Sequence, residues 1–519
     1  MFKTIEEFPL HHLFSKDLRI QIKILTLLYQ NNSGFTIDDL TDEIGLYRKT
    51  IYKYIQQINQ LSKKILQNTI IYSVGGSYTF IGDKIDFLRL KTSLLETCTS
   101  VKLFKLLLTQ TSTNVYKFCL DNFISESTLK RNIQIMNDFL FDYKINVKIR
   151  KNEIYLTGDE AKIRYFFITI FWRTYNGIKW PFDILKKEDI DAIISTSNCD
   201  ELKSFSPGKK SILTYVLAIN IIRAKSNHPI SLKSFPKYTQ LLINTTKLNY
   251  FPKQLRTYFN LSPEEVDFIL ITLFIFPEFH IENNEITKIL ETMQHSVPES
   301  YNSIIRYLEF VRNKHKNWDN DSDMERLFLA SVISDRIAVD IFKEVYFNIQ
   351  DVNLITCTSQ NYPKLLPSIA SVIKNHNPNL SVGLLKSLTF RFAQTYLLAS
   401  LPKDFEPKIK VLIISDIPLS VERWMILRIE SLLRSKYNII IRTNQKRVSR
   451  PDLIISTAFY DGMDMNTPIV FVSPEINSRD TNNILTMCDI LSKRYQRNSS
   501  SHTTINNLNT AYNIRKTYD

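Results

Sequence analysis

One stretch of this chain occurs twice, and the repetition limits what the chain can be. Phe123-Ile-Ser-Glu-Ser-Thr-Leu-Lys-Arg-Asn-Ile-Gln-Ile-Met-Asn137 places Leu129, Ile133 and Met136 at i, i+4 and i+7. That spacing makes one apolar stripe along a helix. Ser127, Thr128, Lys130, Arg131 and Gln134 point the other way, and Ser125 can cap the helix start by accepting a bond from a free backbone N–H. Ile44-Gly-Leu-Tyr-Arg-Lys-Thr-Ile-Tyr-Lys-Tyr-Ile-Gln-Gln-Ile-Asn59 repeats the design. Its stripe is Ile51, Ile55 and Ile58, and its polar face is Arg48, Lys49, Thr50, Tyr52, Lys53 and Gln56. Leu46/Ile124, Thr50/Thr128, Ile51/Leu129, Lys53/Arg131, Ile55/Ile133 and Asn59/Asn137 all pair at one offset of 78 residues. A helix with an apolar back and a basic, amide- and hydroxyl-rich front suits the major groove of DNA. Two of them in one chain point to paired DNA readers.

The flanks of the two copies agree as well. Residues 16–30 read as an amphipathic helix ended by Asn31-Asn-Ser-Gly34. Thr36 then caps a short helix with Asp39 at the third position, a variant of the capping box, and that helix ends at Gly45. Helix, helix, tight turn, helix is the helix-turn-helix order. Ile70 to Phe80 follows as two alternating strands around Gly75-Gly76, a hairpin or wing. The second copy repeats the order, with helices near 100–109, 113–121 and 125–141 and a wing from Ile145 to Gly158. This wing carries Lys148, Arg150 and Lys151, a better phosphate clamp than the first. Gly82-Asp83-Lys84 and Gly158-Asp159-Glu160 close the two units alike.

Beyond the repeat, residues 160–400 read as almost all helix, enough for two bundles of about 110–120 residues each. Examples are Ala161 to Tyr175, Lys209 to Ala224, Pro263 to Phe276, Ser300 to His315 and Asp323 to Phe347. Ser262-Pro263-Glu264-Glu265 is a helix start with a capping serine, proline at N1 and glutamate at N3. Residues 408–492 change character. Lys410 to Ile414, Asn438 to Arg442, Asp452 to Ser456 and Pro468 to Val472 are short β-branched runs alternating with polar helical stretches such as Ser420 to Ser435. That alternation is a small parallel α/β domain. From Arg497 the asparagine- and threonine-rich tail reads as disordered.

Composition narrows the partners. Of the net charge of +14, half falls in residues 1–173, which hold 24 Lys+Arg against 17 Asp+Glu. Charge of that sign beside the repeated helix favours nucleic acid over an ordinary solvated surface. The five cysteines (Cys98, Cys119, Cys199, Cys357 and Cys488) form no CxxC pair, so neither zinc nor a disulfide framework is expected and a reducing cytoplasm fits. The N-terminus has no signal-peptide core, and apolar runs such as Tyr165 to Trp172 fall short of the about 20 residues of a membrane span. With no Gly-rich phosphate loop, HExxH or GxSxG, no cofactor, metal or catalytic residue is expected.

The order of parts resembles the Mga/AtxA family, virulence regulators of Gram-positive bacteria that carry phosphotransferase-system regulation domains (PRDs). The resemblance rests on the duplicated motif, especially Ile124-Ser-Glu-Ser-Thr-Leu-Lys-Arg131. It rests also on Ile154-Tyr-Leu-Thr-Gly-Asp-Glu160 followed by Ile163-Arg-Tyr-Phe166, and on Leu217-Ala-Ile-Asn-Ile-Ile-Arg223 with His228 after it. It implies a mainly α multidomain fold: winged helix-turn-helix domains at 1–85 and 86–165, PRD-like helical domains at 166–288 and 289–403, an EIIB-like α/β domain at 404–496, and a tail at 497–519. It further implies a cytoplasmic transcriptional regulator, usually an activator, that binds promoter DNA. Such a regulator responds to sugar status through histidine phosphorylation by a phosphocarrier protein and dimerises through its C-terminal domain. RNA polymerase is a further partner of such a regulator.

A phosphohistidine must be reachable by its carrier. The candidates are His228, His280, His315 and His376; the plainer alternatives are a loop histidine, a partly packed one and, for the last two, solvated basic turns. An EIIB domain carries its phosphoryl group on a cysteine in the loop after the first strand. Here that loop is Ser415-Asp-Ile-Pro-Leu-Ser420, without one, which leaves a docking or dimerisation module. The expected DNA contacts are Arg48, Lys49, Thr50, Tyr52, Lys53 and Gln56 in the first unit. In the second they are Ser127, Thr128, Lys130, Arg131 and Gln134, with Lys148 and Arg150 on the wing. Tyr47 stands where Ser125 stands in the other copy and cannot cap in the same way, so the second unit is the stronger specificity reader. A phosphotransferase-system enzyme and an RNA-binding antiterminator are the competing readings. The missing loop cysteine argues against the first, and a helical rather than β-rich start against the second.

Overall fold

The apolar stripes and caps read above set the local structure of the computed structural model, which describes residues 13–197, 202, 205–231, 238, 251–281, 283–315, 323–345, 349, 362–443, 450–459 and 466–499. The chain divides into two compact units, Met1–Asn302 with Ile333–Val352, and Ser303–Val332 with Asn353–Asp519.

The first unit begins with α1 (Lys16–Gln30), β1 (Phe35–Thr36), α2 (Ile37–Ile44), α3 (Arg48–Leu66), β2 (Ile71–Val74) and β3 (Ser77–Phe80). Thr36 and Asp39 form the expected capping box on α2, and Gly45 closes that helix at φ 76°. Ile51 and Ile58 of α3 are fully buried, as are Ile24, Leu25 and Leu40 of the two helices it packs on. The wing is antiparallel, order β1-β3-β2, turned at Gly75 and Gly76 with φ of 58° and 84°. β1 went unread in the sequence, because two residues carry no alternation. Its counterpart β4 falls at the same offset.

α4 (Lys84–Glu96) follows, capped by Asp83, and packs on α1 and α3. The pattern then repeats: α5 (Thr99–Thr109), β4 (Thr113–Asn114), α6 (Val115–Asp121), α7 (Glu126–Leu140), β5 (Asn146–Arg150) and β6 (Glu153–Thr157), with sheet order β4-β6-β5. Leu129, Met136 and Leu140 of α7 are fully buried. Lys151 and Asn152 take the positive φ values, 50° and 63°, that a two-residue hairpin turn requires.

Helices α8 (Glu160–Tyr175), α9 (Lys187–Thr196), α10 (Pro207–Lys225), α11 (Phe251–Phe259), α12 (Pro263–Leu273) and α13 (Asn283–Ser296) come next. Almost every residue of α8 and every residue from Ile212 to Arg223 of α10 is buried, polar ones included. Arg164 explains how. Its Nη1 and Nη2 donate to Glu265 at 2.6 and 3.0 Å, its Nε to Glu160 at 3.1 Å, and Nη2 also to the His228 carbonyl oxygen at 2.9 Å. Arg223 donates to both carboxylate oxygens of Glu160, at 2.8 and 2.7 Å, and to the Leu107 carbonyl oxygen at 2.9 Å. Ser262 caps α12 as expected, but Glu265 does not turn back to complete a box, because its carboxylate is taken by Arg164.

Two helices, α14 (Pro298–Lys314) and α15 (Asp323–Phe342), run across the division between the units; α15 ends at Phe342, five residues before the end expected from sequence. The second unit continues with α16 (Leu365–His376) and α17 (Val382–Ala399), whose core includes Tyr307 stacked on Phe392 at 4.4 Å. Last come β7 (Ile409–Ile414), α18 (Leu419–Arg434), β8 (Ile439–Arg442), β9 (Leu453–Ser456), β10 (Ile469–Phe471) and α19 (Ser478–Ser499). All the pairings are parallel, in the order β10-β9-β7-β8, around a core of Val411, Ile413, Ile429, Leu453 and Ile484. The tail expected to be disordered from Arg497 is helical through Ser499. Residues 500–519, Cys199 and Cys357 lie outside the described residues. No helix among the described residues is long and apolar enough to cross a membrane.

Candidate nucleic-acid interface

Burial of one stripe decides what the opposite face of each helix can do. With Ile51, Ile55 and Ile58 inside, Arg48, Lys49, Lys53 and Gln56 are exposed on α3, and Thr50 is half-buried. With Leu129, Ile133 and Met136 inside, Ser127, Thr128, Lys130, Arg131 and Gln134 are exposed on α7. Lys148 and Arg150 are exposed on β5. Lys53 and Arg131, the pair at offset 78, both face solvent, as a major-groove reader requires.

Several of these side chains already have neighbours. Arg48 pairs with Asp38 of α2. Tyr52 leans edge-on against Tyr78 of its own wing, ring centres 6.1 Å apart. Lys130 lies 3.9 Å from Glu126, a surface pair of small energetic worth that phosphate or a base can displace. The Gln134 amide donates to Asp138 at 3.4 Å. Ser127 and Thr128 bring their hydroxyls to 2.8 and 2.9 Å from the Ser125 hydroxyl. Ser125 accepts from the Thr128 backbone N–H at 3.1 Å, whereas Tyr47 makes no side-chain cap.

The wings are fastened by a device that sequence reading missed, although the residues stood in the list of pairs. The Asn59 amide donates to the Ile71 carbonyl oxygen at 2.8 Å and accepts from the Ile71 N–H at 3.0 Å. Asn137 does the same to Val147, at 2.9 and 2.7 Å. Each side-chain amide takes the place of a neighbouring strand and fixes the wing to the recognition helix. Recurrence of one asparagine at the offset was the available signal.

The histidines differ in access. His280 is buried at 2% exposure, with Nε2 3.4 Å from the Ser334 hydroxyl, so it lacks the accessibility a carrier protein needs. His228 is half-buried, and its Nε2 has no hydrogen-bond partner among the described residues. Burial and then Arg223 push its imidazole below the usual range, favouring the neutral ring. His315 places Nε2 2.7 Å from the Tyr396 hydroxyl, and burial lowers it likewise. His376 is exposed at the end of α16, with Nδ1 2.7 Å from the Val372 carbonyl oxygen. In the α/β domain Cys488 is fully buried, and burial pushes its thiol up to about 12, far from the thiolate that a nucleophile needs.

Comparison with known proteins agrees with this arrangement. Residues 83–171 match the Mga helix-turn-helix domain, and residues 20–78 match a helix-turn-helix domain. The chain is similar to the capsule synthesis positive regulator AcpB of Bacillus anthracis, with 22% identity over 346 residues, 64% of this chain and 68% of that protein. It is similar to a candidate trans-acting regulator of Streptococcus pneumoniae, with 20% identity over 418 residues, 78% of this chain and 83% of that protein. AcpA of Bacillus anthracis, also a capsule synthesis positive regulator, shows 24% identity over 247 residues, 46% of this chain and 48% of that protein.

Proposed function

We propose, on the premise that this chain is a transcriptional regulator of the Mga/AtxA type with helix-turn-helix DNA-binding domains, that both its readers grip one promoter duplex and that binding raises transcription. The observation that carries this reading is the matched exposure of Lys53 and Arg131 on two helices whose apolar stripes are buried at one offset. On this reading Gln56 and Gln134 read base edges, Arg48, Lys49 and Lys53 on the first helix and Lys130 and Arg131 on the second engage guanine edges and the phosphates flanking the groove, and Lys148 and Arg150 clamp phosphate. Activation is the sense in which the AcpB and AcpA relatives are named.

Control by sugar status belongs to the same reading. A phosphocarrier protein phosphorylates a histidine of the PRD-like helical segments, and access favours His376, His315 and His228 over the buried His280. The α/β domain, EIIB-like but without the loop cysteine, serves as the homodimer contact. Leu419, Trp424 and Leu427 on α18 support that role, being 80%, 48% and 49% exposed.

Genome-wide crosslinking of the protein to DNA tests the reading. The wild-type chain enriches a discrete set of promoters, and a variant with the outward residues of 127–134 replaced by alanine loses them. Equal enrichment by both would remove α7 from the account.

A further inference from the structure

The two readers differ at one turn. Gly45 closes α2 at φ 76°, a conformation glycine adopts freely. At the same offset the second reader has Phe123, at φ 54°. A β-carbon in the left-handed region crowds its own backbone, so a bulky aromatic there is strained. The fold gains nothing from the ring in return, since Phe123 is 95% exposed. Two further large side chains stand nearby in sequence, on the outer face of α6: Tyr116 and Leu120, one turn apart, are 66% and 61% exposed, while Val115, Phe118 and Cys119 are buried. The matching positions on α2 are Asp38 and Asp42, both solvated carboxylates. The duplication therefore keeps the DNA-reading face in both copies and makes this neighbouring face apolar in only one.

We infer that Tyr116, Leu120 and Phe123 form the surface through which the DNA-bound protein holds RNA polymerase on the same duplex. The inference rests on the activator reading above and names the contact through which activation acts. Position argues for the occupant. In helix-turn-helix docking the first helix of the motif crosses the phosphate backbone while the second lies in the groove, so the outer side of α6 stands at the edge of the duplex. Phe123 lies two residues before Ser125, the cap of α7, so the patch adjoins the DNA face in the chain. Phosphates offer nothing to the Leu120 and Phe123 side chains and a single hydrogen bond to the Tyr116 hydroxyl, whereas a recess on a protein seated beside them on the DNA takes the apolar surface of all three. Aromatic anchors exposed in a cluster are what such contacts use.

The test is the full-length triple variant Tyr116→Ser, Leu120→Ser, Phe123→Gly, chosen because glycine accepts the φ of that turn. Three readouts are taken on one promoter fragment recovered by crosslinking: thermal unfolding, duplex affinity, and stimulation of transcription by purified bacterial RNA polymerase. The expected result is a fold as stable as wild type, duplex affinity within about twofold, and stimulation reduced by at least about tenfold, the size of one lost interface anchor. A parallel fall in duplex affinity would make the patch a DNA contact and overturn the inference. Undiminished stimulation would overturn it too. A wild-type chain that binds the fragment but never stimulates the polymerase would instead remove the activator reading, and the inference with it.

Discussion

Arg164 and Arg223 are each 1% exposed, yet both are charged. Two buried guanidinium groups are tolerable only because Glu160 and Glu265 answer them, together with Asn220 and the carbonyl oxygens of His228 and Leu107. Removing one partner of a buried ion pair leaves an uncompensated charge, which costs about 3–5 kcal/mol. Glu160 serves both arginines, so Glu160→Gln is expected to lower stability by about 3 kcal/mol, the amide retaining part of the hydrogen bonding. Denaturant unfolding followed through intrinsic tryptophan fluorescence, to which Trp172 and Trp180 contribute, measures it; a loss below about 1 kcal/mol would mean the network is dispensable. Little of this was legible in the sequence. Leu217 to Arg223 and His228 stood out only through a family resemblance. α10 is buried on every side, so no periodicity marks Asn220 and Arg223 as inward polar groups. Arg164, the partner of Asn220, and Glu160, the partner of Arg223, lie 56 and 63 residues away in the chain.

Elements were more readable than residues. The stripes of α3 and α7, the Thr36 and Ser125 caps and the glycine-turned first wing all follow from local rules, because each is settled within a few residues. The short strands β1 and β4 and the asparagine clamps were not legible, since each depends on a partner across a turn. The clamp makes a prediction at this scale. Asn137→Ala deletes two hydrogen bonds and leaves the N–H and carbonyl of Val147 without that partner, which costs about 2 kcal/mol. Amide hydrogen exchange across 145–157 is expected to quicken in this variant while exchange in α3 is unchanged. Unaltered protection of the wing would show that β5 and β6 hold it without help from α7.

At the scale of the whole molecule, the order of parts was visible as changes of period: helical stripes, two wings, a long helical middle, then β-branched runs alternating with helices. The division into two units was harder to see, because it cuts through α14 and α15 and no Gly- or Pro-rich linker marks it. Half of the net charge of +14 lies in the first 173 residues, which contain both readers. Arg48, Lys49, Lys53, Lys130, Arg131, Lys148 and Arg150 are the cations that would displace counterions from a duplex. Full engagement of all seven gives a slope of log K against log salt near −6, at about −0.9 for each phosphate neutralised.

The salt dependence of duplex binding tests the paired grip most directly. Fluorescence anisotropy of a labelled promoter fragment would be measured between about 50 and 200 mM salt, for the wild type and for Lys130→Ala/Arg131→Ala. The account predicts a steep fall in affinity for the wild type and a slope shallower by about 2 for the variant, with weaker binding throughout. A flat salt response in the wild type, or identical slopes and affinities in both proteins, would contradict it.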